Sequence, residues 1–201
     1  ARSGRFYPSP GRYKDLAVLP KDPRTDDLLR ADWRYFSVDG DKEPVVPLAW
    51  FKDGKPQKEL DGKRELPARI SRKGERWGFE LKLGARVAKS PEVKVLNTAP
   101  VAPELRITPP VISRLGPARA EVVKPSTDAD GDPVAYRYSW LVDGVPSKLT
   151  SAEVPGSSLK KGQRWTVVVV ARDGALDSAP GAAEAVVANA APTAAGVALT
   201  P

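Results

Sequence analysis

The chain writes one unit twice. Asp128-Ala129-Asp130-Gly131-Asp132-Pro133, followed by Tyr136, Tyr138 and Trp140, returns in altered form as Asp39-Gly40-Asp41-Lys42-Glu43-Pro44, followed by Trp50. Each copy runs on through an Asp-Gly turn (Asp53-Gly54, Asp143-Gly144) and a basic-Gly-x-Arg-Trp stretch (Lys73 to Trp77, Lys161 to Trp165). Each then leaves through Asn-x-Ala-Pro (Asn97 to Pro100, Asn189 to Pro192). A repeat of this period is as long as a small domain, so 201 residues accommodate two folding units rather than one.

The local patterns say what kind of unit it is. Leu29, Ala31, Trp33 and Tyr35 alternate with Arg30, Asp32 and Arg34, and the same period of two recurs in Ala118, Ala120 and Val122. It recurs again in Tyr136, Tyr138, Trp140 and Val142, and in Trp77, Phe79, Leu81 and Leu83 around Glu80 and Lys82. Val93 and Val95 stand inward against Glu92 and Lys94. Alternation of this kind marks strands with one buried and one wet face. No long 3.6-period apolar stretch competes with it, and 21 prolines and 16 glycines supply turns between short strands. The chain is therefore predicted to be all-β, with Trp50 and Trp140 as central core anchors.

Residues 1–15 mix Arg, Gly, Pro and Ser with Phe6, Tyr7 and Tyr13, without a strand or helix period, and read as a basic extended arm. The first module then covers residues 16–100 and the second 101–192. The leading strand Leu16 to Pro20 is matched by Leu105 to Pro109 and a third time by Val197 to Pro201. Residues 193–201 are thus expected to be the first strand of a further repeat, or a strand that pairs between subunits.

Asp-x-Asp-Gly-Asp-Pro, Tyr-x-Trp, the Asp-Gly turn, Lys161-Gly162 before Trp165, Arg172-Asp173-Gly174 and the Asn-x-Ala-Pro exit together resemble the tandem immunoglobulin-like modules of bacterial surface proteins. These are similar to cadherin-like and polycystic-kidney-disease-type repeats. The resemblance covers residues 16–192, closely in the second copy and more loosely in the first. It implies two tandem immunoglobulin-like β-sandwiches of seven strands, in an exported, extracellular or cell-surface chain. Stalk, spacer, adhesive or filament roles follow from it, with neighbouring modules or copies of the same chain as partners, and enzymatic activity does not.

The chemistry available to the side chains is narrow. Without cysteine, histidine or methionine there is no thiol nucleophile, imidazole base or usual zinc ligand, so any metal is oxygen-ligated. Asp128, Asp130 and Asp132 alternate along five residues and can converge on one calcium ion, with Asp173 bringing a fourth carboxylate from across the sandwich. The same residues are also good turn formers, because Asp side chains accept backbone amides. Calcium is expected in the second module only: in the first, Ala85 stands where Asp173 would be and Lys42 sits inside the loop. A turn triad of carboxylates lacks the cleft that glycoside hydrolysis needs. Lys73-Gly74 and Lys161-Gly162 lack the rest of a phosphate loop. Four of the five tryptophans, Trp50, Trp77, Trp140 and Trp165, fall on inward strand positions, and Trp33 alternates inward too, which leaves no spare indole for a sugar platform.

Two surfaces remain. The outward positions Glu80, Lys82 and Lys94 of the first copy become Val168, Val170 and Val186 in the second, an apolar face of the kind that marks a contact site. With Val197 and Leu199 these valines form the expected interface. The formal charge of +7 lies entirely before residue 101. That half is where an anionic polysaccharide would bind if the chain were a polyanion-binding module instead. Nucleic acid is not expected as a partner, and no apolar run approaches the roughly 20 residues that span a bilayer.

Overall fold

Strand-forming stretches punctuated by Asp-Gly and Lys-Gly turns fold into fifteen short strands in the computed structural model, which describes residues 11–190. The chain divides between Thr98 and Ala99 into two units, each a β-sandwich with its own core.

In the second unit β9 (Glu104–Thr108), β10 (Ala118–Lys124) and β13 (Glu153–Val154) form a three-stranded sheet with β10 at its centre. Facing it, β11 (Ala135–Val142), β12 (Val145–Pro146), β14 (Arg164–Arg172) and β15 (Gly181–Val186) form a four-stranded sheet in the order β12-β11-β14-β15. Every pairing within these sheets is antiparallel. The chain crosses between sheets after the second, fourth and fifth strands, which is the three-on-four wiring of an immunoglobulin-like sandwich.

The first unit repeats this wiring. Its three-stranded sheet is β1 (Arg12–Leu19), β2 (Leu29–Phe36) and β5 (Glu65–Leu66). Its second sheet is β3 (Leu48–Lys52), β4 (Lys55–Pro56), β6 (Arg76–Leu83) and β7 (Arg86–Lys89), with β8 (Val93–Lys94) also on β6. The last strand position is split into β7 and β8 because the intervening Ser90–Glu92 segment crosses the face of β6 at Gly78. A Cβ on Gly78 would sit 3.3 Å from Glu92 Cγ. Ser90 repairs the ladder, its Oγ accepting from Phe79 N–H at 2.9 Å. In the second unit Thr166 occupies the position of Gly78, and β15 runs unbroken beside β14.

The repeated motifs have the same physical job in both units. The Asp-Gly pairs turn β3 into β4 and β11 into β12, with Asp53 and Asp143 both at φ 49° and the glycine following each also at positive φ. Each aspartate carboxylate then accepts the backbone N–H of the arginine in Gly-x-Arg-Trp, Arg76 at 2.9 Å and Arg164 at 2.8 Å. The glycines Gly74 and Gly162 in that motif adopt φ 91° and 84° and donate to the carbonyls of Val95 and Val187. Glycine is needed because an L side chain is strained at these angles.

Each core is built round two indoles packed edge to face. Trp50 and Trp77 lie 6.3 Å apart edge to face, and Trp140 and Trp165 lie 6.1 Å apart in the same way. The buried indole N–H groups are satisfied: Trp50 donates to Lys63 O at 2.8 Å and Trp140 to Ser151 O at 2.9 Å. Trp77 and Trp165 donate to the side chains of Glu75 and Gln163, which are the variable residue of the Gly-x-Arg-Trp motif.

One expectation is corrected. Residues 12–15, assigned to the arm, are the first half of β1, where Arg12, Tyr13 and Lys14 pair with Phe36, Tyr35 and Arg34. Tyr13 is packed against Trp33 and Tyr35 rather than free. Residues 1–10 and 191–201 lie outside the described residues, and with them most of the arm, the strand 193–201, Val197 and Leu199.

Candidate functional site

The loop between β10 and β11 folds on its first aspartate. Asp128 Oδ1 accepts the amides of Asp130 at 2.8 Å and Asp132 at 3.2 Å, and Gly131 at φ 80° makes the reversal between them. Tyr136 closes the loop by accepting Ser126 N–H on its hydroxyl at 2.8 Å. The result brings one carboxylate oxygen from each of Asp128, Asp130 and Asp132 within 4.8 Å of one another, all three half-buried. It is the one such group among the described residues. Asp128 Oδ2 is buried inside it without a hydrogen-bond donor.

A set of carboxylate oxygens held this close suits a hard divalent cation, whose oxygen ligands stand about 2.3–2.6 Å away. Asp173 is not brought into the group. Its Oδ1 caps its own turn, accepting Ala175 N–H and Leu176 N–H, both at 2.7 Å. In the first unit the corresponding loop is organised instead by Ser37, whose Oγ accepts Asp41 N–H at 3.1 Å.

The two outer faces of the second unit differ in kind. Across β9, β10 and β13 the face is a lattice of exposed ion pairs: Lys124–Glu104 at 2.8 Å, Arg106–Glu121 at 2.7 Å and Arg119–Glu153 at 2.7 Å. The hydrogen bond from Arg106 holds the Glu121 carboxyl below its ordinary range. On the opposite sheet Val168 lies between Ser139 and Ala182, Val170 beside Arg137, and Val186 beside Arg164. Val168 and Val170 are half-buried by their neighbours and Val186 is exposed. The flanking charges are paired, Arg137 with Asp177 at 2.9 Å and Arg164 with Glu184 at 3.4 Å. The corresponding face of the first unit carries Glu80 paired with Lys89 at 2.5 Å.

Sequence reasoning missed one feature, the seam between β1 and β7. An apolar groove of about 210 Å³ opens there, lined by Tyr13, Leu81, Leu83 and Val87 with Arg12 and Arg86 at its rim. No alternation along a single strand reveals it, because its walls come from the two ends of the unit.

No protein-family model and no curated protein matches the chain. Among solved structures, a two-domain fibronectin type III segment of chicken tenascin is 19% identical. It matches 87% of this chain and 98% of its own length at a TM-score of 0.45. A domain segment of titin is 13% identical over 90% of this chain and 68% of its own, with a TM-score of 0.38. Three N-terminal domains of the highly immunogenic outer capsid protein of bacteriophage RB49 are 15% identical over 86% of this chain, with a TM-score of 0.36. This chain spans 58% of that segment.

Proposed function

We propose that the chain is a non-catalytic structural or adhesive segment of a larger extracellular assembly, in which the β11-β14-β15 face of the second unit is covered by a neighbouring module or another copy. The observation that supports this is the replacement of Glu80, Lys82 and Lys94 by Val168, Val170 and Val186 on otherwise equivalent strands. Valine suits a pleated strand on either face, and burying these three in a contact adds roughly 25 cal/mol per Å² of apolar area removed from water. The resemblance in sequence to bacterial surface repeats agrees with this role.

The test is the double substitution Val168→Lys and Val170→Lys. Both side chains point away from the core, so the circular dichroism spectrum is expected to stay that of the parent. Concentration-dependent association, measured by sedimentation velocity, is expected to weaken at least tenfold. Association unchanged by the two lysines rules out this face as the contact.

Calcium belongs to the same reading, as the ion that stiffens the second unit. Asp128, Asp130 and Asp132 would hold it, and the buried, undonated Asp128 Oδ2 favours its presence. An ion that binds only the folded state stabilises by about 2.7 kcal/mol at one hundred times its dissociation constant. Saturating calcium should therefore raise the melting temperature of the second unit by on the order of 10 °C. A chelator should reverse the rise, and the double substitution Asp128→Asn, Asp132→Asn should abolish it. A midpoint indifferent to calcium and chelator alike would leave the loop a simple turn.

A further inference from the structure

The first and last strands of the two sandwiches meet differently. In the second unit Gly181 of β15 lies against the carbonyl of Pro103, so close that a Cβ there would be 2.1 Å from the oxygen. That seam is shut. In the first unit β1 and β7 stand apart, and the groove between them has Leu81, Leu83 and Tyr13 for a floor. Both walls are sheet edges: β1 pairs with β2 alone and β7 with β6 alone. Alternate residues of an edge strand turn their N–H and C=O groups away from the sheet, where they form a template for a further strand.

The two edges are not equally good templates. Between Lys14 and Ala17 the register of β1 slips, and Asp15 there adopts φ 55°. A bulge of this kind twists the edge and interrupts its row of backbone groups. The β7 edge carries no such irregularity over Arg86–Lys89.

Charge selects what can add there. Arg12 and Arg86 stand exposed on opposite walls of the groove, and among the described residues neither has a carboxylate partner. They face a chain whose own net charge is +7. Like charge on an edge disfavours pairing with a second copy, and the same guanidiniums attract an acidic strand. Size argues in the same direction. At about 210 Å³ the groove is smaller than the roughly 300 Å³ at which small-molecule sites begin. A strand needs room for only one or two side chains, since most of its affinity comes from main-chain hydrogen bonds.

We propose that the groove between β1 and β7 receives an extended acidic segment of a partner protein, added as a strand along β7. One apolar side chain of the segment rests on Leu83 and Val87, and its carboxylates lie on Arg12 and Arg86. The contact is separate from the valine face of the second unit, so Val168→Lys, Val170→Lys should leave it untouched.

The probe is a fluorescein-labelled six-residue peptide alternating glutamate and valine, titrated with the full chain and followed by anisotropy. Saturable binding is expected, at least tenfold tighter than for the same peptide with lysine in place of glutamate. A peptide with proline in place of valine, which lacks half of the N–H donors, should also bind at least tenfold more weakly. Amide chemical-shift changes should concentrate on Val87, Ala88 and Lys89. Arg12→Glu, Arg86→Glu should cost at least tenfold in affinity with an unchanged circular dichroism spectrum, and Arg12→Lys, Arg86→Lys should keep most of the binding. The absence of saturable binding, equal affinity for the proline peptide, or shift changes away from β7 would each overturn the proposal. Dimerisation abolished by the glutamate pair would also overturn it, by making a second copy the occupant.

Discussion

Trp140→Ala is expected to unfold the second unit at temperatures where the first stays folded. Trp140 is 1% exposed, meets Trp165 edge to face at 6.1 Å, and satisfies the carbonyl of Ser151 through its indole N–H. Truncating a buried aromatic of this size costs about 3–5 kcal/mol. Leaving the Ser151 carbonyl without its donor adds to that. Domains are stable by only about 5–15 kcal/mol. A fall in melting temperature on the order of 15–30 °C follows for a unit of this length. The core of the first unit shares no residue with that of the second, so its amide resonances should remain dispersed through the transition. Trp140→Phe should recover most of the loss while still forfeiting the hydrogen bond. Simultaneous loss of dispersion in both units would show that they fold as one body, contrary to their separate cores.

Gly181→Ala is expected to have the second-largest effect, by an opposite mechanism. Here nothing is removed: a single methyl group is forced to within 2.1 Å of Pro103 O and 3.2 Å of Pro103 C. Both are backbone atoms and cannot swing aside, so β15 must move off β9 along the closed seam. Overpacking of this kind costs about 1–3 kcal/mol. The urea midpoint should fall accordingly, while Ala182→Val, at the next and exposed position, should leave it nearly unchanged. An unaltered midpoint for Gly181→Ala would mean that the seam is not shut at Pro103.

Much of this architecture is legible along single strands. The alternations through Leu29–Tyr35, Trp77–Leu83 and Tyr136–Val142 put the right side chains inward because each strand is half-buried, and half-burial writes itself with period two. The tandem arrangement is legible because the Asp-Gly and Gly-x-Arg-Trp motifs each satisfy a backbone demand that both units share. What escapes is whatever depends on neighbours remote in the chain. Residues 12–15 read as an arm because only Arg12, Tyr13 and Lys14 pair with β2 before the register slips at Asp15, a run too short to show a period. The roles of Glu75 and Gln163 as acceptors for Trp77 and Trp165 lie in a motif position that the repeat leaves variable. In the acidic loop, spacing alone brings Asp128, Asp130 and Asp132 together. Asp173, in a remote turn, gives its Oδ1 to the amides of that turn. The open groove between β1 and β7 exists only once two strands some seventy residues apart lie side by side.

The shut seam of the second unit also fixes how that unit would meet a pulling force. β9 and β15 begin together, at Pro103 and Gly181, and past their far ends Ala188 N–H donates to Ile112 O at 2.8 Å. They therefore point the same way. Tension carried by the backbone arrives at the start of one and departs beyond the finish of the other, so it drags the pair lengthwise past each other. All contacts along the seam then resist at once, whereas a peeling load would break them in turn.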